Sequence, residues 1–187
     1  MANTVLVELG KKVRGRLVDS VRFTEADAAI IAKFKDQLLA LTPEIGKAFY
    51  EGLFANPATA AVFKEGERPA REKTLADWWQ RTITGPVDDA YWGWQAYVGL
   101  IHVKRQVSNA MMIGQTTLIR QVVADRFPNE PGLVAAVGRL LGEVAAVIAD
   151  SYEVMMQRAM EQFAGISHEL VMQQIALEVD KLVAELK

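Results

Sequence analysis

Apolar side chains along this chain recur at the three- and four-residue spacing of helices, and stretches that alternate in twos, as strands do, are scarce. Ile30, Phe34, Leu38 and Leu41 form one stripe, and Ile45, Phe49 and Leu53 form another. Helix starts are marked by Thr24 with Asp27 three residues on, by Thr42-Pro43, by Asn56-Pro57 and by Asp88. Each supplies an oxygen for orphan backbone N–H groups, and a proline in the first turn needs no donor. Gly66, Gly85-Pro86 and the segment Phe127-Pro-Asn-Glu-Pro-Gly132 are stops. The pattern predicts an all-α chain with helices at 4–17, 24–41, 43–54, 57–64, 67–84, 89–104, 109–127 and 133–186, the last breaking near Gly165.

The stretch 133–163 is helical in pattern throughout and would run roughly 45 Å at about 1.5 Å per residue, longer than one domain of this size needs. Such a helix points to a partner copy, so a homodimer through the last two long helices is expected. Val137, Leu141, Val144, Ile148, Tyr152 and Met155 are the candidate interface residues. Beyond Gly165, His168, Met172, Ile175, Val179, Leu182 and Leu186 are spaced 4, 3, 4, 3, 4, the a/d seam of a coiled coil. The expected organisation is one domain over 1–163, with 1–20 an N-terminal extension, and a coiled-coil-like helix over 164–187. The seam is unfinished at Lys187, which fits either a piece of a longer chain or a single-domain protein.

Composition narrows the chemistry. The 187 residues are 51% hydrophobic and 24% charged with a net charge of −2, so no basic excess points to a nucleic-acid partner. Cysteine is absent, which removes disulfides, thiolate catalysis, iron–sulfur clusters and thiolate-ligated haem. Two histidines, His102 and His168, are too few for a multi-histidine metal site. There is no glycine-rich phosphate loop and no serine with a base at triad spacing. No signal peptide and no run of about 18 consecutive apolar residues is evident. A cytoplasmic protein with no membrane partner is the expectation.

His102 lies in a helix of mostly apolar and aromatic neighbours, among them Trp94, Val98 and Ile101. Spacing alone fits a core histidine satisfied by a backbone carbonyl, and it also fits a metal ligand in an apolar pocket. Tyr50 lies in Ala48-Phe49-Tyr50-Glu51-Gly52-Leu53, and its hydroxyl is either an inward donor or a surface group.

Three features together carry a resemblance: the helical Ala-Phe-Tyr-x-x-Leu, the segment Gly85-Pro86-x-Asp88-Asp89-x-Tyr91, and a histidine helix followed by Ile113-Gly114. Over about residues 20–160 the chain resembles the sensor-globin domain of bacterial globin-coupled sensors, the family that includes protoglobins and haem-based aerotaxis transducers. The resemblance implies a globin-like fold with an extra N-terminal helix, a long C-terminal helix running into a short coiled coil, and bound haem b. By position it implies His102 as the proximal iron ligand, with Tyr50 and Thr74 as distal contacts to the gas. Phe49, Phe63, Leu75, Trp78, Val98, Ile101, Met111 and Ile113 are the implied pocket walls. Where family members often carry Pro-x-Trp-Tyr-x-Gly, this chain has Met111-Met112-Ile113-Gly114, so a tyrosine that could anchor the ligand helix is missing.

The implied function is a haem-based sensor of O2, CO or NO that passes ligand binding through a helical dimer to a fused or separate effector, itself no enzyme. Two alternatives stand beside it: a haem-less globin-fold interaction module, and a haem enzyme consuming NO or peroxide.

Overall fold

The spine of the molecule is α9 (Pro131–Ala159) in a computed structural model that describes residues 4–185. Its buried positions, Leu133, Ala136, Val137, Leu140, Leu141, Val144, Val147, Ile148 and Ser151, repeat at three and four. That stripe faces α7 (Asp89–Lys104), α8 (Asn109–Arg126), α2 (Glu25–Lys33) and α1 (Thr4–Arg16). A second layer pairs α4 (Thr42–Ala55) and the short α3 (Lys35–Ala40) with α6 (Arg68–Thr84), and α4 also meets α8. The four-residue α5 (Pro57–Ala60) links α4 to the loop before α6. No strand occurs among the described residues, and the architecture is all-α and globin-like.

Local chemistry sets most helix starts. Thr24 and Asp27 form a reciprocal capping box at α2, Asn56 accepts from the Ala58 N–H at 2.9 Å, and Asp88 accepts from the Tyr91 N–H at 2.9 Å. Thr42 does not cap: its hydroxyl donates to the Leu39 carbonyl at 2.6 Å, and α4 starts from Leu41 with Pro43 in its first turn. The stretch expected as one helix over 24–41 divides at Phe34, whose ring packs edge-on against Phe127 at 5.9 Å. The helix expected over 57–64 ends at Ala60, leaving Val62 and Phe63 in a turn beside the site.

Two buried carboxylates tie the N-terminal helices to the spine. Glu143, on α9 and 1% exposed, accepts from Arg14 Nε at 2.9 Å and from the Phe23 N–H at 2.8 Å. Asp27, equally buried, takes both arms of Arg139. Arg14 also covers the Trp92 ring on α7, 4.6 Å from its centre. A lone buried charge would be costly; pairing and hydrogen bonding make these two tolerable and place α1 and α2 on α9. Helices α1 and α7 meet closely at small residues, since a Cβ on Gly93 would stand 2.9 Å from Val7 Cγ2.

The expected dimer residues need correction. Val137, Leu141, Val144 and Ile148 are 0–3% exposed inside the single subunit, where α7 and α8 already cover them. Tyr152 and Met155 are half-buried. The length of α9 is therefore used mostly for its own core. Together with the turn after it, residues 131–164 are long and apolar enough to cross a membrane, but half of that segment is buried in the subunit. After Ala159 a π-helical turn (Met160–Ala164) leads to Gly165, whose left-handed φ of 64° ends the helix. Then α10 (His168–Glu185) leaves the core and buries none of its side chains. Its seam residues Met172, Ile175, Val179 and Leu182 are 48–59% exposed; Leu186 lies outside the described residues.

Candidate functional site

A cavity of about 540 Å³ lies among α4, α6, α7 and α8, with Ile148 of α9 also in its wall. Its lining is mostly apolar, and α4, α6, α7 and α8 each place polar groups in it.

From α7, His102 enters the wall with Val98 and Arg105, four and three residues away on its face, and with Trp94 and Ile101 beside them. His102 Nδ1 lies 2.8 Å from the Val98 carbonyl oxygen. A carbonyl can only accept, so Nδ1 carries the proton and Nε2 holds a lone pair. No hydrogen bond reaches Nε2 among the described residues. Burial, the largest influence, lowers the pKa below that of an ordinary imidazole, and nearby Arg105 adds to this against the opposing Val98 bond. The ring is thus a neutral σ-donor held in one tautomer, the state a metal requires of histidine.

From α4, Tyr50 is 4% exposed and its ring is wedged among Phe49, Phe54 and Phe63, with centroids 5.1, 6.4 and 6.0 Å away. Burial pushes its phenol up to about 12, so the hydroxyl keeps its proton through the physiological range. It makes no hydrogen bond among the described residues. A protonated phenol without a partner, at the wall of an apolar cavity, is a donor awaiting an acceptor.

Most of the expected walls are found here: Phe49, Phe63, Leu75, Trp78, Val98, Ile101 and Met111 all line the cavity. Two expectations change. Ile113 is not in the wall; it is 48% exposed, and its carbonyl accepts from the Thr116 and Thr117 hydroxyls. Thr74 does line the cavity, but at an exposed position, and its hydroxyl donates back to the Ala70 carbonyl at 2.9 Å. Its single proton is therefore committed to its own helix.

Sequence reasoning reached only Arg105, as a basic residue for a solvated face or a haem propionate, and missed the rest of the site's polar border. Arg71, Arg81 and Arg105 all reach the cavity, as do Tyr97 and Gln115, whose buried Oε1 has no partner. Arg105 gives two N–H groups to Glu67 at 2.7 and 2.8 Å, fastening the end of α7 to the start of α6. That bond is the main cause that holds the Glu67 carboxyl down to about 2. Nothing in the sequence indicated Glu67 as the partner of Arg105.

No cluster of three or more potential metal-ligating His, Asp or Glu side chains exists among the described residues. No curated protein sequence matches the chain at a significant level. The family model described as Protoglobin matches residues 15–141, which hold both His102 and Tyr50 and well over half of the chain. Globin fold, a partly buried neutral histidine and the sequence match agree, and the chain belongs to the protoglobin family, whose globin domain implies haem and a diatomic gas ligand.

Proposed function

We propose that this chain is a haem b-based sensor of O2 or another diatomic gas, with His102 as the protein's iron ligand and Tyr50 as the donor to the gas. The observation that carries the reading is the pairing of a neutral imidazole, Nε2 unbonded, with an unpartnered phenol in one apolar cavity. The residues fit the group: a cavity of about 540 Å³ falls within the range of cofactor sites, roughly 300–1,000 Å³, and its lining is apolar with few polar groups. Haem, when bound, supplies an iron with a free coordination position that takes a gas reversibly.

The side chains do the rest. The Val98 carbonyl fixes the His102 tautomer and raises the basicity of Nε2. Phe49, Phe54 and Phe63 hold the Tyr50 ring, so its hydroxyl is positioned before a ligand arrives. Leu75, Trp78, Val98 and Ile101 limit water around that donor, which strengthens any hydrogen bond it makes.

A route outward supports sensing. One turn before His102, Gly99 lies so close to α9 that a Cβ on it would stand 2.4 Å from Ser151 Oγ. A shift of α7 at the ligand is therefore felt by α9, which leads through the π-helical turn to α10. The proposed dimer forms through the exposed end of α9 and the turn after it, where Met156 is 65% and Phe163 89% exposed, and through the a/d seam of α10 pairing with a second copy.

The deciding experiment is spectroscopic. Purified protein is expected to be red, with a Soret band that shifts on reduction and on adding CO, and His102→Ala is expected to lose that band. A colourless unaltered protein would move the reading to a haem-less interaction module. Steady NO consumption with a reductant would move it to an enzyme.

A further inference from the structure

The three arginines at the cavity are not equivalent. Arg105 is bonded twice to Glu67, and Arg71 Nε lies 3.4 Å from the same carboxylate, so an internal anion already faces two cations at that end. The guanidinium of Arg81, on α6, has neither an ion pair nor a hydrogen bond among the described residues. It is not loose, however. Its guanidinium sits over the Trp94 ring, 3.9 Å from the centroid. Contact through the face of a guanidinium leaves its N–H edges free, and those edges match a carboxylate in two parallel bonds.

Arg81 also stands where the cavity opens. Among the lining residues, Thr74, Asp77, Arg81 and Tyr97 are exposed, which puts the mouth between α6 and α7. Asp77, the acid on that rim, is paired with Lys73 at 2.6 Å. The deep part of the wall is apolar, with Met112, Ile119 and Ile148 2–4% exposed. A flat ligand with one acidic edge and one greasy edge has a single favourable way to enter such a slot.

We propose that Arg81, pre-set on Trp94, anchors the propionate carboxylates of haem, seating the cofactor with its acidic edge at the α6–α7 mouth and its apolar edge toward Met112 and Ile148. The inference rests on the haem reading of the cavity given above. It assigns Arg71 and Arg105 to the Glu67 clasp and leaves the anionic edge to Arg81 alone.

The test compares two cofactors in the reconstituted full chain: haemin, and haemin dimethyl ester, which lacks the carboxylate charges. The readout is the rate of cofactor transfer to a scavenging apoprotein in excess. Arg81→Gln is expected to lose haemin roughly three- to thirtyfold faster than the unaltered chain and to lose the diester at an unchanged rate. Arg81→Lys, which keeps charge without the fork, is expected to fall between. Equal acceleration for both cofactors would mean that Arg81 matters only as packing on Trp94, and would overturn the proposal. So would an unchanged haemin rate, or an ester-sensitive effect in Arg105→Gln and not in Arg81→Gln. An unaltered chain that takes up neither cofactor would fail at the earlier step, by showing no Soret band at all.

Discussion

Tyr50 shows what one buried side chain contributes. Its phenol, raised to about 12 by burial, is a donor at every pH of interest, and nothing in the described protein uses that donor. A diatomic ligand whose outer atom gains negative charge on binding, as that of O2 does, would accept from it, and CO hardly would. A hydrogen bond to a partly charged acceptor is worth roughly 1.5–3 kcal/mol, or about 10- to 150-fold in affinity. Tyr50→Phe is therefore expected to speed O2 dissociation by that factor while leaving CO dissociation nearly unchanged, as read by stopped-flow and flash photolysis; equal O2 rates would end the assignment. Asp27 makes a different point. Arg139 is the main cause that lowers its pKa, so the pair stabilises the fold fully above about pH 4 and less as pH falls through the lowered value. Asp27→Asn should cost roughly 1–3 kcal/mol at neutral pH, below the usual 3–5 for a broken buried pair because Arg139 is a third exposed. Its acid-unfolding curve should be flatter than that of the unaltered chain, and coincident curves would exclude the pair as the source. At this scale the sequence was partly legible. The two readings open for His102 proved compatible, because one ring nitrogen takes the carbonyl and the other stays free. The Arg14–Glu143 and Arg105–Glu67 pairs were not legible, since each joins residues far apart in the chain whose approach only the fold decides.

Among the helices, the contact of α7 with α9 is the one that site and core share. Gly99 has no room for a methyl group against Ser151, so Gly99→Ala must push the two helices apart. The expected cost is about 1–3 kcal/mol in unfolding free energy, accompanied by a shifted iron–histidine stretching band in the haem-loaded protein. Lost stability with an unmoved band would mean that the contact serves packing alone. Helix existence was readable from periodicity almost everywhere, because buried stripes on α2, α8 and α9 repeat at three, four or seven. Boundaries were readable where a side chain did the capping, as at Thr24, Asn56 and Asp88, and not where packing decided, as at Phe34. The destination of an apolar face was the hardest thing to read. The stripe of α9 looks the same whether a partner copy or the chain's own α7 and α8 cover it, and here it is mostly the latter.

The described residues form a closed helical core with one arm, α10, that buries none of its side chains. Because α10 buries no side chain, a charge placed on its seam should leave the core intact and act only on association. Ile175→Lys is expected to turn a dimer into a monomer in sedimentation experiments while thermal stability and the Soret band stay the same. A dimer that survives would put the interface elsewhere on the surface. The distribution of one residue type has a practical consequence at this scale. All four tryptophans, Trp78, Trp79, Trp92 and Trp94, belong to α6 and α7, the two helices that border the cavity mouth, and two of them are in its wall. Indole emission overlaps the absorption of a porphyrin, so energy transfer would darken nearly the whole intrinsic fluorescence once the cavity fills. The chain thus carries its own optical gauge of cofactor occupancy, readable by titration without a label and before any gas is added.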